Sequence, residues 1–232
     1  INKLSFLQMI IGTGFIARSL SSYPPISACK NALFFASGVS NSQETNPENF
    51  LREKKLLSQH IALCKKNNIK FVYFSSAGEV YGEAIVKARE TTKPNPRSMY
   101  GEHKVLIENL IKESGVPYLI CRLPNLVGKG QKEYQLFPSL VNQVLSKKVR
   151  VFERAERDIL DSADFLKILA ELIHLNLSPE IINIVSGFST SISDIVIHIK
   201  KSLQTTCSII TLRNGDKQRF SSSKLNAILP WT

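Results

Sequence analysis

The sequence predicts an α/β fold, a doubly wound parallel sheet with a small C-terminal lobe. Three observations carry that prediction. Short apolar segments alternate with helix-like segments along 232 residues. The apolar segments are continuous rather than alternating, the pattern of strands covered on both faces. The first of them runs straight into Gly12-Thr13-Gly14 and a helix start. A chain of this length forms one domain, 1–232, with the elements of the lobe mainly within 126–232.

Residues 6–11 form the first apolar strand, and residues 15–20 begin a helix that Pro24-Pro25 stops. Residues 31–36 make a second strand, followed by a polar Ser/Asn/Gly loop over 37–47. A helix over 48–67 carries Phe50, Leu57, Ile61 and Cys64 near a 3.6-residue period. Residues 70–75, aromatic and β-branched, read as a strand. After a loop with Pro94 and Pro96 comes a helix over 98–114, with Gly115 where a C-cap glycine belongs. Residues 116–123 make another buried-type strand. The remaining elements are helices over 133–146, 162–175 and 191–203 and strands over 149–152, 181–185 and 208–212.

Composition excludes several classes. At 43% hydrophobic and 21% charged, the chain can bury enough surface to fold. No apolar run approaches the roughly 20 residues of a bilayer span, so no membrane insertion is expected. Cys29, Cys64, Cys121 and Cys207 show no CxxC spacing and read as reduced thiols, with neither a disulfide framework nor a metal site. No export signal is evident, which makes the cytoplasm the expected compartment. Thirty basic against 19 acidic residues give +11, compatible with nucleic acid, an anionic membrane surface or anionic small molecules. The basic residues are dispersed in pairs rather than gathered in a stripe, so nucleic acid is not expected as a partner.

Gly12-Thr13-Gly14-Phe15-Ile16-Ala17 reads G-x-G-x-x-A, after a strand and opening a helix. In a dinucleotide fingerprint Gly12 permits the tight turn, Gly14 lets backbone approach a pyrophosphate, and Ala17 lets the helix pack on the strand. The alternative is a tight turn with no ligand. The acidic residue that normally holds the adenosine ribose about 20 positions on is missing, since no Asp or Glu precedes Glu44. Arg18, with Lys30 the nearby charge, suits a 2′-phosphate, which inclines the cofactor from NAD toward NADP; Arg18 could equally be an exposed helix residue. Tyr100 and Lys104 stand at i and i+4 in the helix over 98–114, on one face. An ammonium there would lower the phenol pKa and make Tyr100 an acid/base near neutrality. A Tyr-x-x-x-Lys alone arises readily by chance. Its place in the chain, after the glycine loop and after Phe74-Ser75-Ser76 at the end of a central strand, suggests a hydride-transfer site.

Five stretches together resemble the extended short-chain dehydrogenase/reductase family, in its NAD-dependent epimerase/dehydratase branch acting on nucleotide sugars. They are Gly12 to Ala17, Phe74-Ser75-Ser76-Ala77-Gly78-Glu79-Val80-Tyr81-Gly82, Tyr100-Gly101-Glu102-His103-Lys104, Arg122-Leu123-Pro124-Asn125-Leu126-Val127-Gly128-Lys129-Gly130-Gln131, and Arg157-Asp158-Ile159-Leu160-Asp161-Ser162-Ala163-Asp164. The resemblance implies a Rossmann-like NAD(P)-binding domain. Tyr100 would exchange a proton with the sugar oxygen while hydride moves to or from the nicotinamide. Lys104 would hold the nicotinamide ribose, and Ser76 or Ser75 would hydrogen-bond the reacting oxygen. Gly12, Thr13, Gly14, Phe15, Ile16 and Arg18 would bind the cofactor with Leu123 and Pro124; Asn125 and Arg157 would meet the substrate's phosphates. For Arg157 an ion pair with Asp158 or Glu156 is the alternative.

Three departures from the family's pattern refine these expectations. The position that usually carries the catalytic Ser or Thr is Ala77, so the hydroxyl would have to come from Ser76, one residue earlier. The acidic pair of dehydratases reads Gly78-Glu79, which disfavours water elimination. Between the first helix and Leu33 there is no room for the usual second and third strands. Keto reduction or epimerisation of a nucleotide-activated sugar is therefore expected, with a non-catalytic sensing or scaffold role as the other class. Homodimerisation, as in the family, would use the helices over 48–67 and 98–114.

Overall fold

A computed structural model describes residues 8–83 and 86–230. Its centre is a five-stranded parallel sheet built from β1 (Ile10–Ile11), β2 (Ala32–Phe35), β3 (Lys70–Ser76) and β4 (Tyr118–Leu123), closed by a strand at Glu180–Asn183. The strands follow in chain order from β1 at one edge. No described strand lies beyond β1, in keeping with the shortage of residues before Leu33. Of the first expected strand, Phe6 and Leu7 lie outside the described residues.

Side-chain alternation along the strands sends apolar groups to both faces, and helices cover each. On one face α3 (Pro47–Asn67) and α5 (Met99–Ser114) bury Leu57, Ile61, Cys64, Ile107 and Ile111 against Leu33, Phe35, Phe71 and Tyr73. On the other, α1 (Phe15–Ser21), α2 (Pro24–Ser27) and α7 (Ser162–His174) pack Leu20, Ile26, Phe165 and Leu169 on Phe34, Val72, Leu119 and Cys121. The fold is thus doubly wound, as the continuous apolar strands predicted.

The helix ends follow local chemistry. Asn46 caps α3 by accepting from Glu48 N, and Pro47 fills its first position, where a missing N–H is harmless. Ser98 caps α5 by accepting from Gly101 N at 3.0 Å, and Gly115 closes it at φ 71°. Pro24-Pro25 does more than end α1: it opens α2, because proline fits the first turn of a new helix.

Several short elements were not expected: α4 (Ala77–Tyr81), β5 (Asn125–Val127), and β7 (Glu156–Asp161) with its antiparallel neighbour β9 (Ser189–Ser191). Their sequences are brief or polar and carry no periodic signal. The expected helix over 133–146 begins later, as α6 (Leu136–Leu145). The C-terminal part builds a satellite core in which Leu140 and Val144 of α6 meet Val149 and Val151 of β6 (Lys148–Phe152) and Ile195, Val196 and Ile199 of α8 (Ile192–Ser202). In β6 buried and exposed residues alternate, as expected of a strand with one wet face. The strand at Glu180–Asn183 is β8, β10 (Ser208–Leu212) pairs with β6, and α9 (Ser223–Ile228) follows.

Candidate active site

The strand registry brings the predicted residues to one end of the sheet. Ile11 pairs with Phe35, so Gly12 abuts Ala36. A Cβ on Gly12, whose φ is 126°, would lie 2.4 Å from Ala36 O, so only glycine fits this turn. Ser75 and Ser76 pair with Arg122 and Leu123, which sets Pro124 and Asn125 beside the end of β3. Above these ends opens a cavity of about 1130 Å³ between the sheet and the satellite core. It is lined by Thr13, Gly14, Phe15, Ile16, Ser75, Ser76, Tyr100, Lys104, Leu123, Pro124, Asn125 and Arg157. Among single-ligand pockets of roughly 300–1,000 Å³ it is large, with room for two ligands. Arg52, Lys104, Lys132, Arg150 and Arg157 line it against Glu79 and Asp216, a surplus of positive charge that suits anions.

At the glycine loop a Cβ on Gly14 would meet nothing within 4 Å, and no side chain among the described residues caps α1. The loop therefore presents bare backbone to the cavity, which fits a dinucleotide pyrophosphate. Arg18 is not brought into the lining. It donates to Thr13 O at 2.7 Å and Gly130 O at 2.6 Å, clamping the glycine loop to the segment after β5.

The close packing of α4 on α5 places Tyr100 and Lys104. A Cβ on Gly101 would lie 2.6 Å from Glu79 O, so glycine after Tyr100 permits the approach. Tyr100 is buried, and Lys104 Nζ stands 5.3 Å from its ring centroid, the shared face that i and i+4 spacing predicted. Lys104 Nζ also donates to Tyr73 Oη at 2.9 Å and lies 3.4 Å from Glu53 Oε1. The expected lowering of the Tyr100 pKa is not the net direction: burial raises it, and Lys104, which pulls it down, is opposed by the carboxylates of Glu53 and Glu79 and by Tyr134. Burial alone would lower Lys104, but Glu53, with Tyr100 and Glu108, holds it above the usual lysine range.

The two serines differ. Ser76 Oγ accepts from Glu79 N at 3.4 Å as the cap of α4. Ser75 Oγ is buried with no hydrogen-bond partner among the described residues, a hydroxyl awaiting one. Ala77 is fully buried among Val80, Tyr81 and Phe220. Asn125 Nδ2 donates weakly to Asp158 O at 3.4 Å and to Gln218 Oε1 at 3.5 Å. Arg157 pairs with Asp216 Oδ1 at 2.7 Å, rather than with Asp158 or Glu156 as the alternative had it. Asp158 instead turns inward to bind Ser186 and Gly187 amides.

Sequence reasoning missed Glu53, Tyr73 and Gln218. Glu53 left a signal, an acidic residue on the apolar stripe of α3 three positions after Phe50 and four before Leu57. Gln218 left none, since it enters from an irregular C-terminal segment.

A sequence model of the NAD dependent epimerase/dehydratase family matches residues 18–185, beginning just after the glycine loop. A protein of Bacillus subtilis (strain 168) named uncharacterized UDP-glucose epimerase YtcB is 31% identical over 148 residues, 60% of this chain and 47% of that protein. GDP-6-deoxy-D-mannose reductase of Pseudomonas aeruginosa is 27% identical over 172 residues, 66% of this chain and 56% of the reductase. The chain thus spans about half the length of the curated relatives it matches. Among solved structures, that of RMD from Pseudomonas aeruginosa complexed with NADPH superposes with a TM-score of 0.74 at 24% identity, covering 87% of this chain and 76% of the other. Thermus thermophilus UDP-glucose 4-epimerase in complex with NAD gives 0.73 at 19% identity, covering 84% and 70%.

Proposed function

The chain belongs to the NAD dependent epimerase/dehydratase family, and we propose that it is an NAD(P)-dependent oxidoreductase that either reduces a nucleotide-activated 4-keto sugar or epimerises a nucleotide-activated sugar by removing and returning hydride at one carbinol carbon. The observation that carries this reading is one basic cavity that joins the bare glycine loop, the Tyr100 and Lys104 pair, and Asn125 with Arg157. Thr13, Gly14, Phe15 and Ile16 would hold the dinucleotide pyrophosphate, Leu123 and Pro124 would face the nicotinamide, and Lys104 its ribose. When bound, the nicotinamide supplies the hydride for reduction, or takes and returns it in epimerisation.

In reduction Tyr100 acts as the acid; in epimerisation its phenolate first takes the sugar hydroxyl proton as hydride leaves the carbon, and the phenol returns that proton when hydride comes back. Burial keeps its phenol protonated, the state from which a carbonyl oxygen gaining hydride takes its proton. Ser75 donates to that oxygen from the cavity wall. Arg157, once its pairing with Asp216 opens, offers a planar fork to a diphosphate. Water elimination is disfavoured, because position 78 is glycine and the lone Glu79 is engaged by Ser98 Oγ at 2.7 Å.

The test is to mix the protein with NADPH or NADH and a panel of nucleotide 4-keto sugars and follow loss of reduced-cofactor absorbance, with chromatography of UDP-hexoses for epimerisation. Turnover is expected, and Tyr100→Phe is expected to lower it by 10² or more. Equal activity in Tyr100→Phe would reject the assignment. Ala77, apolar where the family's pattern has a hydroxyl, favours the second reading of a non-catalytic NAD(P)-binding scaffold or sensor. Dinucleotide binding without turnover on any sugar would select it.

A further inference from the structure

We propose that Glu53 is a positioning residue of this site: its buried carboxylate, with the Tyr73 hydroxyl, fixes the Lys104 ammonium beside Tyr100. The inference rests on the reading of Tyr100 and Lys104 as the acid/base pair.

Glu53 reaches the site from α3, a different helix from the pair it serves. It is fully buried, and both its oxygens are used. Oε1 accepts from Tyr73 Oη at 3.0 Å and lies 3.4 Å from Lys104 Nζ. Oε2 accepts from Val39 N at 2.6 Å and lies 3.2 Å from His103 Nε2. The loop after β2 seals the group, since a Cβ on Gly38 would fall 2.8 Å from Glu53 Oε1 and 3.1 Å from Lys104 Nζ.

Folding alone gives little reason for this arrangement. Two buried charges lose their hydration, and an apolar pair of similar volume would often stabilise as well or better. The carboxylate matters because of where it holds Lys104. Tyr73 and Glu53 approach Nζ from β3 and α3, leaving it beside the Tyr100 ring at the cavity wall. The groups facing the pair are Glu53 from α3, Tyr73 from β3, Glu79 from α4, Tyr134 ahead of α6, and His103 and Glu108 on α5 itself. Of these, Glu53 is the carboxylate within reach of Nζ. If its charge is removed, desolvation of Lys104 is largely unopposed, and the ammonium gives up its proton as pH rises.

The experiment is an NMR titration of protein carrying 13C-labelled lysine, following the Lys104 Cε resonance assigned by its loss in Lys104→Met. Wild type is expected to stay charged through the ordinary lysine range and above it. Glu53→Gln, which keeps shape and one acceptor but no charge, is expected to lower the midpoint by at least about one pH unit, and Glu53→Asp by less. A Lys104 midpoint below the ordinary lysine value in wild type, or an unmoved midpoint in folded Glu53→Gln, overturns the inference. If Glu53→Gln does not fold, the wild-type and Glu53→Asp titrations still decide.

The second readout is the pH dependence of dinucleotide affinity and kcat. In Glu53→Gln both defects should deepen as pH approaches the lowered Lys104 midpoint, by about twofold at that midpoint, where half of the ammonium is lost, whereas a purely structural defect is equal at every pH. Should wild type show neither turnover nor dinucleotide binding, the proposed function falls, while the Lys104 titration still reports on the anchor.

Discussion

Ser75 and Ser76 are adjacent, yet their surroundings assign them different work. Ser75 Oγ is buried in the cavity wall without a partner among the described residues, whereas Ser76 Oγ caps α4. Ser75→Ala is therefore expected to lower kcat by roughly 10² with little change in stability, since it removes a donor to the reacting oxygen. Ser76→Ala is expected to cost about 1 kcal/mol of stability through the lost cap. Kinetics and denaturant titration of the two variants check both, and the reversed outcome would move the hydroxyl role to Ser76. Arg18 makes a similar contrast between sequence and surroundings. With both outer nitrogens bonded to Thr13 O and Gly130 O, it acts as a clamp on the glycine loop. Arg18→Met should weaken NADPH and NADH by the same factor in fluorescence titrations. A loss confined to NADPH would restore a 2′-phosphate contact.

At the scale of elements, the junction of α3, β3 and α5 carries both packing and charge. Leu57, Ile61, Ile107 and Ile111 fasten the two helices to Phe71 and Tyr73, and Glu53 ties α3 to α5 through Lys104 and His103. Burial would raise the Glu53 carboxyl, but Lys104, His103 and the Val39 amide outweigh it and hold it at about 2 against an ordinary 4.5. A carboxyl lowered on folding contributes stability that is full above the unfolded value and is lost as pH falls through the window between the two. Wild type should therefore lose up to ~3 kcal/mol from this group between pH 4.5 and about 2. Thermal midpoints should fall more steeply across that window in wild type than in Glu53→Gln. Parallel acid limbs would show that the group does not carry the effect. The helices themselves were legible, α3 from its apolar period and α5 from Gly115 at its end; the structure adds the caps Asn46 and Ser98 at their starts. The short α4, β5 and β9 were not, because three to five residues hold too few turns or alternations to show a period, and they exist only by leaning on neighbours.

For the whole molecule, the decisive feature is the gap between the parallel sheet and the satellite core around Val149 and Ile195. Ligands that fill it bind the folded state alone and should raise its stability by RT ln(1 + [L]/Kd), about 2.7 kcal/mol at a hundredfold excess over Kd. For a domain of this size that corresponds to a rise of roughly 5–10 °C in Tm. NADPH or NADH should produce such a shift in wild type and a smaller one in Lys104→Met at the same concentration. A shift as large in Lys104→Met would remove Lys104 from the cofactor site. The net charge of +11 finds a use at this scale too, since Arg52, Lys132, Arg150 and Arg157 gather at the cavity from four separate parts of the chain.

The sequence by itself determined the α/β class, the order of the main strands and helices, the glycine turn at Gly12 and the shared face of Tyr100 and Lys104. Each of these depends on neighbours within a few residues: a period, a cap, a turn, an i and i+4 spacing. The tertiary structure alone decided what those residues meet. It put Ser75 rather than Ser76 without a partner among the described residues, turned Arg18 to two carbonyls, gave Arg157 to Asp216, and set Glu53 and Tyr73 around Lys104. Such contacts join residues up to 112 positions apart, as Arg18 and Gly130 are. They are fixed by strand registry and helix packing, which local periodicity cannot encode.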